Sequence, residues 1–282
     1  MSCFDYSLPS LSRRRRTRTA PPGSTAFTLI ELIVVIAILA MLATMTVPAL
    51  KNMRKTNVMV SAGRQLVDDI TLARARAITD RTTVHVLFVP PDIMNWAPAP
   101  GAGPEITRDK NLLERLKSSQ YTTYALFAER TVGDQPGRPQ ARYLTSWRSL
   151  PDGIFIATNK YVYNPAALGG SDDYTRPFEY TEPASVLVPC PTIYGAPRSV
   201  PHLAFDAQGR LVDKDHRVRF QNEVLWLGRG SFLYSRDPAT QVLDSFSFRE
   251  SPPGNSNDRT NYHRVVVDGL TGRVRVETPK IQ

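Results

Sequence analysis

Cysteine is nearly missing from this 282-residue chain, with only Cys3 and Cys190 present, so no disulfide framework can hold it together. Pro189-Cys190-Pro191 reads as an irregular turn, and nothing beside it would activate a nucleophilic thiol. Histidine is scarce too. His85, His202, His216 and His263 are scattered, without the H-x-x-x-H or H-E-x-x-H spacing that would place two imidazoles on one metal. G-x-S-x-G, Walker and dinucleotide-fingerprint patterns are absent, so no catalytic set, cofactor site or metal site is assigned and no enzyme activity is expected. The last shortage is the most informative. Between Arg18 and Lys51 there is one charged residue, Glu31, and Leu32 to Leu50 has none.

A carboxylate at the head of such an apolar run is costly in a lipid environment and usually has a partner charge. Upstream lies Arg13-Arg14-Arg15-Arg16-Thr17-Arg18, and Glu31 follows Phe27 by four residues. Two ordinary readings stand beside any special one. A secretory signal also has a basic start and an apolar core, and Ala40-Met41-Leu42-Ala43 would pass as its cleavage box. A plain single-span anchor needs only about 20 apolar residues. The run is long for the first of these, and neither explains Glu31.

The stretch Ala26-Phe27-Thr28-Leu29-Ile30-Glu31-Leu32 and the apolar run after it resemble the class III signal of type IV pilins and type II secretion pseudopilins. The resemblance implies that a prepilin peptidase cuts between Ala26 and Phe27 and methylates the new amine of Phe27. Glu31 would then be the fifth mature residue. The family carries Gly before the cut, where this chain has Ala26; Gly23 is the nearest glycine, but a cut there takes Glu31 out of register. Pro48 falls where the family often has a helix-kinking proline, since proline lacks an N–H and clashes with the preceding turn.

On this reading residues 1–26 are a basic leader, 27–50 a transmembrane or filament-core helix, 51–80 its amphipathic continuation, and 81–282 a periplasmic β-rich head. Five of the 35 basic and one of the 26 acidic residues belong to the leader, so the net charge falls from +9 to +5 without it. Positive residues stay on the cytoplasmic side, which places the N-terminus inside and the head outside the inner membrane. Cys3 would leave with the leader.

Met59, Ala62, Leu66, Ile70, Ala73 and Ala77 recur every three or four residues, one face of an amphipathic helix, with Gly63 as a weak point. Unbroken from Phe27 to Thr79, the helix would be about 80 Å long. From Thr82 the period changes. Thr82–Val89, Tyr121–Glu129 and Gly153–Thr158 read as strands. Three late hairpins are expected: His202–Phe205 with Arg210–Val212, Arg217–Phe220 with Val224–Leu227, and Tyr262–Val267 with Arg273–Val276. Residues 90–119 look like an insertion with a short helix at Asn111–Lys117, and 159–200 like a long irregular excursion. The fold class is therefore α+β: one long N-terminal helix, its first half membrane-spanning, packed on an antiparallel head with long loop insertions.

This order is similar to the GspH/FimT branch of minor pseudopilins and minor pilins. The matching pieces are Leu66–Ile78, the F-D-A-Q-G-R turn at Phe205–Arg210 and the closing T-G-R-V-R-V at Thr271–Val276. The implied partners are the prepilin peptidase, other pilins or pseudopilins in a filament, the inner-membrane assembly platform and the membrane itself. Arg264, Arg273, Arg275 and Lys280 form a basic C-terminal strip of the sort phosphate contacts need, but Asp268 and Glu277 dilute it and nucleic acid is not an expected partner. Asp213, Asp215, Asn222 and Glu223 hint at an oxygen cage, without the glycine and spacing of a calcium loop. Asp172-Asp173 is read as a solvated turn.

Overall fold

The computed structural model describes residues 28–98, 100–135, 137, 140–161, 176–181, 186–188, 196–239, 243–258 and 262–279, with only the backbone considered at 43–57. The leader, Ala26, Phe27, Asp172, Asp173, Cys190 and Lys280 lie outside the described residues, as does the side chain of Pro48 with the kink expected there. The chain divides into two units, Met1–Asn52 and Met53–Gln282.

Helix α1 is assigned over Leu29–Asp80. In the second unit its face repeats the sequence pattern: Met59, Ala62, Leu66, Ile70, Ala73 and Ala77 are all buried, at 0–3% exposure. Three of these six are alanines, which lets the sheets approach the helix backbone closely. Each Leu or Ile removed from water at this depth contributes roughly 1.5–3 kcal/mol.

The strands are β1 (Val84–Phe88), β2 (Thr123–Ala128), β3 (Arg142–Tyr143), β4 (Arg148–Ser149), β5 (Ile154–Ile156), β6 (Glu179–Tyr180), β7 (Leu187–Val188), β8 (Ala196–Pro197), β9 (Pro201–Phe205), β10 (Leu211–Val212), β11 (Glu223–Arg236), β12 (Leu243–Glu250), β13 (His263–Val267) and β14 (Val274–Glu277). The first sheet runs β10-β9-β1-β2-β3, with β4 also on β2 and β6 on β9. The second runs β12-β11-β13-β14, with β5 on β11, and β7 pairs with β8 separately. Every pairing of these strands is antiparallel. The α+β expectation holds.

Side chains alternate across β1. Val84, Val86 and Phe88 join the α1 stripe, together with Leu126, Leu203 and Phe205 from the neighbouring strands. Leu87, followed by Val89, points the other way, into a second cluster with Ile93, Trp96, Leu113, Leu116 and Phe127. The first sheet is thus buried on both faces, which is why Val84–Val89 reads as an unbroken apolar run rather than an alternating one. The second sheet sends Leu225, Leu227, Val265 and Val267 into the main core and Val224, Trp226 and Val266 to its far side.

Three expectations need correction. Residues 90–119 are not simply an inserted loop: a 3-10 turn at Pro91–Asn95 and helix α2 (Pro104–Lys117) supply Ile93, Leu113 and Leu116 to the second cluster, covering the outer face of the first sheet. Helix α2 starts seven residues earlier than expected because Pro104 opens it, where a missing N–H costs nothing. The Arg217–Phe220/Val224–Leu227 hairpin does not form. Val218 makes only an isolated bridge to Val212, while Glu223–Leu227 pairs with β13, since burial of Leu225 and Leu227 against the helix outweighs the local turn. The excursion at 159–200 contributes β6 to the first sheet and the β7–β8 pair. Among the described residues no helix is long and apolar enough to cross a membrane.

The late hairpins at Asp206 and Asp268 form as expected. Asp206 Oδ1 accepts from the N–H of Gln208 and Arg210 at 3.0 and 2.9 Å, and Asp268 Oδ1 from that of Thr271 at 2.8 Å. Both carboxylates are set by the turns they close, the usual reason for Asp at such positions.

Candidate functional site

The first turn of α1 is built around Thr28. Its carbonyl accepts from the N–H of Leu32 at 3.2 Å, and its hydroxyl accepts from the N–H of Glu31 at 3.3 Å. The same hydroxyl lies 3.5 Å from Glu31 Oε2. This is one half of a Thr-x-x-Glu capping box: the cap hydroxyl takes the Glu31 N–H, and the carboxylate lies beside that hydroxyl. A negative group in the first turn also suits the positive end of the helix dipole. Glu31 therefore has a local role within its own chain. The signal for it in the sequence is the T-x-x-E spacing of Thr28 and Glu31. Among the described residues, Oε1 of Glu31 has no hydrogen-bond donor.

The helix beyond this cap is apolar on all sides. Leu29, Ile30, Leu32, Ile33, Val34, Val35, Ile36, Ile38, Leu39, Met41 and Leu42 are all exposed, at 44–79%. A helix apolar all round is stable only when lipid or other helices cover it. Glu31 is the one ionisable group on the described part of this surface.

Three charged clusters occupy the head. In the first, Tyr124 donates its hydroxyl proton to Asp69 Oδ2 at 2.6 Å, Arg148 pairs with the other Asp69 oxygen, and Gln65 Nε2 donates to Tyr124 Oη at 3.0 Å and to the Ser149 carbonyl at 2.9 Å. Burial, followed by Asp69, pushes the Tyr124 phenol well above its ordinary value, so it remains a proton donor. Gln65, Asp69, Arg148 and Ser149 line an open groove of about 920 Å³ with Val60, Ser61, Arg64 and Asp68. The groove contains no nucleophile next to a base. Its hydrogen bonds fasten α1 to the first sheet.

The second cluster is more deeply buried. Glu223, 1% exposed, pairs with Lys160, which is 4% exposed, and with Arg219 at 2.7 Å. Arg219 also pairs with Glu179, and Lys160 Nζ donates to the Arg176 carbonyl at 2.6 Å. Burial pulls the Lys160 ammonium down and Glu223 opposes it. Burial acts the same way on Arg219, but Glu223 and Glu179 outweigh it and the net shift is upward. Glu179 belongs to the first sheet and Glu223 to the second, so the cluster is an ionic bridge between them. Its charges are matched, which is the condition for tolerating ions in a low-dielectric interior.

In the third, His85 Nε2 lies 3.0 Å from Glu129 Oε1, and the His85 and His202 ring centroids are 5.2 Å apart. His202 Nδ1 lies 3.1 Å from the Glu179 carbonyl. Burial holds the His202 imidazole well below its ordinary value, with His85 and Arg219 adding to the effect. The hydrogen bond from His85 lowers the Glu129 carboxyl against the opposing effect of burial. Among the described residues no three of His, Cys, Asp and Glu are placed to hold a metal ion.

The remaining sequence candidates do not converge. Asp213 Oδ1 accepts from the N–H of Asp215 and Arg217, Asn222 Oδ1 from that of Gly269, and Glu223 faces Lys160 and Arg219, so the oxygen cage is not assembled. On the last hairpin, Arg264 and Arg275 both pair with Glu277 at 2.8 Å. Arg264 also stacks over Tyr262, 4.2 Å from its centroid. A carboxylate thus neutralises part of the basic strip.

Residues 23–47 match the family model of the prokaryotic N-terminal methylation motif. This supports a pilin-type signal within residues 23–47, and with it processing by a prepilin peptidase and assembly with other pilins in general terms. Comparison with curated proteins and with solved structures finds no match.

Proposed function

We propose that the chain is a structural minor pseudopilin of a type II secretion system, of the GspH kind, and has no enzyme activity of its own. The observation that carries this reading is the methylation motif at 23–47, placed at the start of a helix whose described surface is apolar on every side. The subunit would wait in the inner membrane with its head in the periplasm. The peptidase would remove residues 1–26 and methylate the amine of Phe27. On assembly, Glu31 would meet the amine of a neighbouring subunit. Opposite charges attract strongly where water is excluded, and pairing offsets the cost of a lone buried carboxylate.

A minor type IV pilin of the FimT kind would use the same motif. Its DNA-contacting form draws little support from the last hairpin, where Glu277 holds two of the arginines.

The test is N-terminal sequencing and intact mass of the membrane-extracted protein, with and without prepilin peptidase. A peptidase-dependent start at methylated Phe27 supports the pilin pathway. An intact leader, or a cut near Ala43, overturns it. Loss of protein export on deletion, with twitching and DNA uptake intact, would separate the secretion subunit from the pilus subunit.

A further inference from the structure

Three segments that are far apart in the chain meet at one side chain. Arg74 of α1 donates through Nε to the Gly209 carbonyl at 3.1 Å and to the Thr271 carbonyl at 2.8 Å. Gly209 lies in the β9–β10 turn of the first sheet, and Thr271 in the β13–β14 turn of the second. The turns also touch one another, the N–H of Leu211 donating to the Gly269 carbonyl at 3.0 Å. The junction leaves no space for side chains at its two glycines. A Cβ on Gly272 would fall 2.0 Å from the Gly209 carbonyl oxygen, and one on Gly209 would fall 2.7 Å from Ile78 Cδ1. Both glycines have positive φ, +62° and +77°, which further favours glycine there. By contrast, the Gln65 and Asp69 side chains of α1 make their cross-links to Tyr124, Arg148 and Ser149, all in the first sheet.

We infer that Arg74 is a clasp that fastens the C-terminal hairpin β13–β14 to the helix and to the first sheet at once, so that closure of the head depends on α1 being in place. The hairpin needs such a tie. β14 has four residues and is an edge strand, and short edge elements open locally at low free energy. The guanidinium suits the task because it stays charged and its planar donors are held in a fixed fork. In a filament subunit, the reading proposed above, this joint would add a hydrogen-bonded tie to the second sheet beside the apolar contacts that α1 already makes with it.

Hydrogen–deuterium exchange of the full chain in detergent tests the clasp. In Arg74→Met, peptides covering 206–212 and 268–277 should exchange at least tenfold faster, while β1 and β2 keep wild-type protection. Arg74→Lys, which keeps a donor on a flexible stem, should fall between, and it supplies the comparison if Arg74→Met does not accumulate. Unchanged exchange in the hairpin would overturn the inference. Equal acceleration across β1, β2 and β13 would also overturn it, by making Arg74 an ordinary part of the core. The readout needs neither peptidase nor filament, so failure of the filament reading would leave its outcome intact.

Discussion

Two parts of α1 are built from similar residues and end in opposite states. At 29–42 Leu, Ile and Val are exposed on all sides of the helix, whereas at 59–77 one stripe of Leu, Ile, Met and Ala is almost completely buried and the other face carries Arg64, Asp68 and Arg76. The first pattern has no dry side and no wet side, so a cover on one side alone does not satisfy it. The second is complete once two sheets are laid on it. A helix whose polarity is one-sided records a partner in its own fold, and a helix without sidedness records one outside it.

The sharpest way to break that comparison is at Glu31, the only charge on the apolar part. Glu31→Leu is expected to insert in the membrane and fold its head normally, yet to disappear from filaments, as read by fractionation and by crosslinking to neighbouring subunits. Normal incorporation would end the pairing role and leave Glu31 as a first-turn charge beside the Thr28 cap, a contribution of about 0.3–1 kcal/mol. Next in size is one truncation made in both parts. Ile70→Ala should cost the head about 2–5 kcal/mol through lost burial and the cavity left behind. Ile36→Ala should leave the Tm of the head unchanged. A similar loss from both would mean that the apolar part packs on the head.

A smaller effect concerns pH. His202 is buried with its pKa held down, while in the unfolded chain it returns to about 6.5. The unfolded state therefore takes up the proton first. Stability from this site is complete above about pH 6.5 and falls by up to roughly 1.4 kcal/mol per pH unit below it, until the folded pKa is reached. Denaturant midpoints between pH 7.5 and 5 should show this slope, and His202→Gln should flatten it. Smallest is Gly63→Ala. A Cβ there would sit 3.5 Å from Val276 and 3.9 Å from Leu227, ordinary contact distances, so removing a helical glycine should stabilise the head by up to about 1 kcal/mol. A loss instead would show that the helix and second sheet are packed more tightly at this point.

Much of the head was legible because its periods are local. The α1 stripe, β1, β2, β5 and two of the three late hairpins lie where spacing and turn residues put them. The misses share a cause. Gly230–Arg236 pairs with β12, and neither strand is legible in the sequence, because Phe232, Tyr234, Phe246 and Phe248 alternate with exposed residues, mostly Ser and Arg, and the six residues that join the strands resemble a loop in composition. The ionic bridge was invisible for a different reason. Lys160, Glu179, Arg219 and Glu223 are spread over 64 positions, and each looks like a solvated surface charge when read in order.

The amino-acid order alone determined the methylation motif, the one-sided helix and the α+β class, since each depends on residues within a turn or two of one another. Only tertiary structure decided which charges are buried, that residues 91–117 roof the first sheet, and that Arg74, Gly209 and Thr271 meet. Those outcomes depend on contacts between residues that are not neighbours in the chain, where the gain from shared burial, and not any local preference, selects the partner.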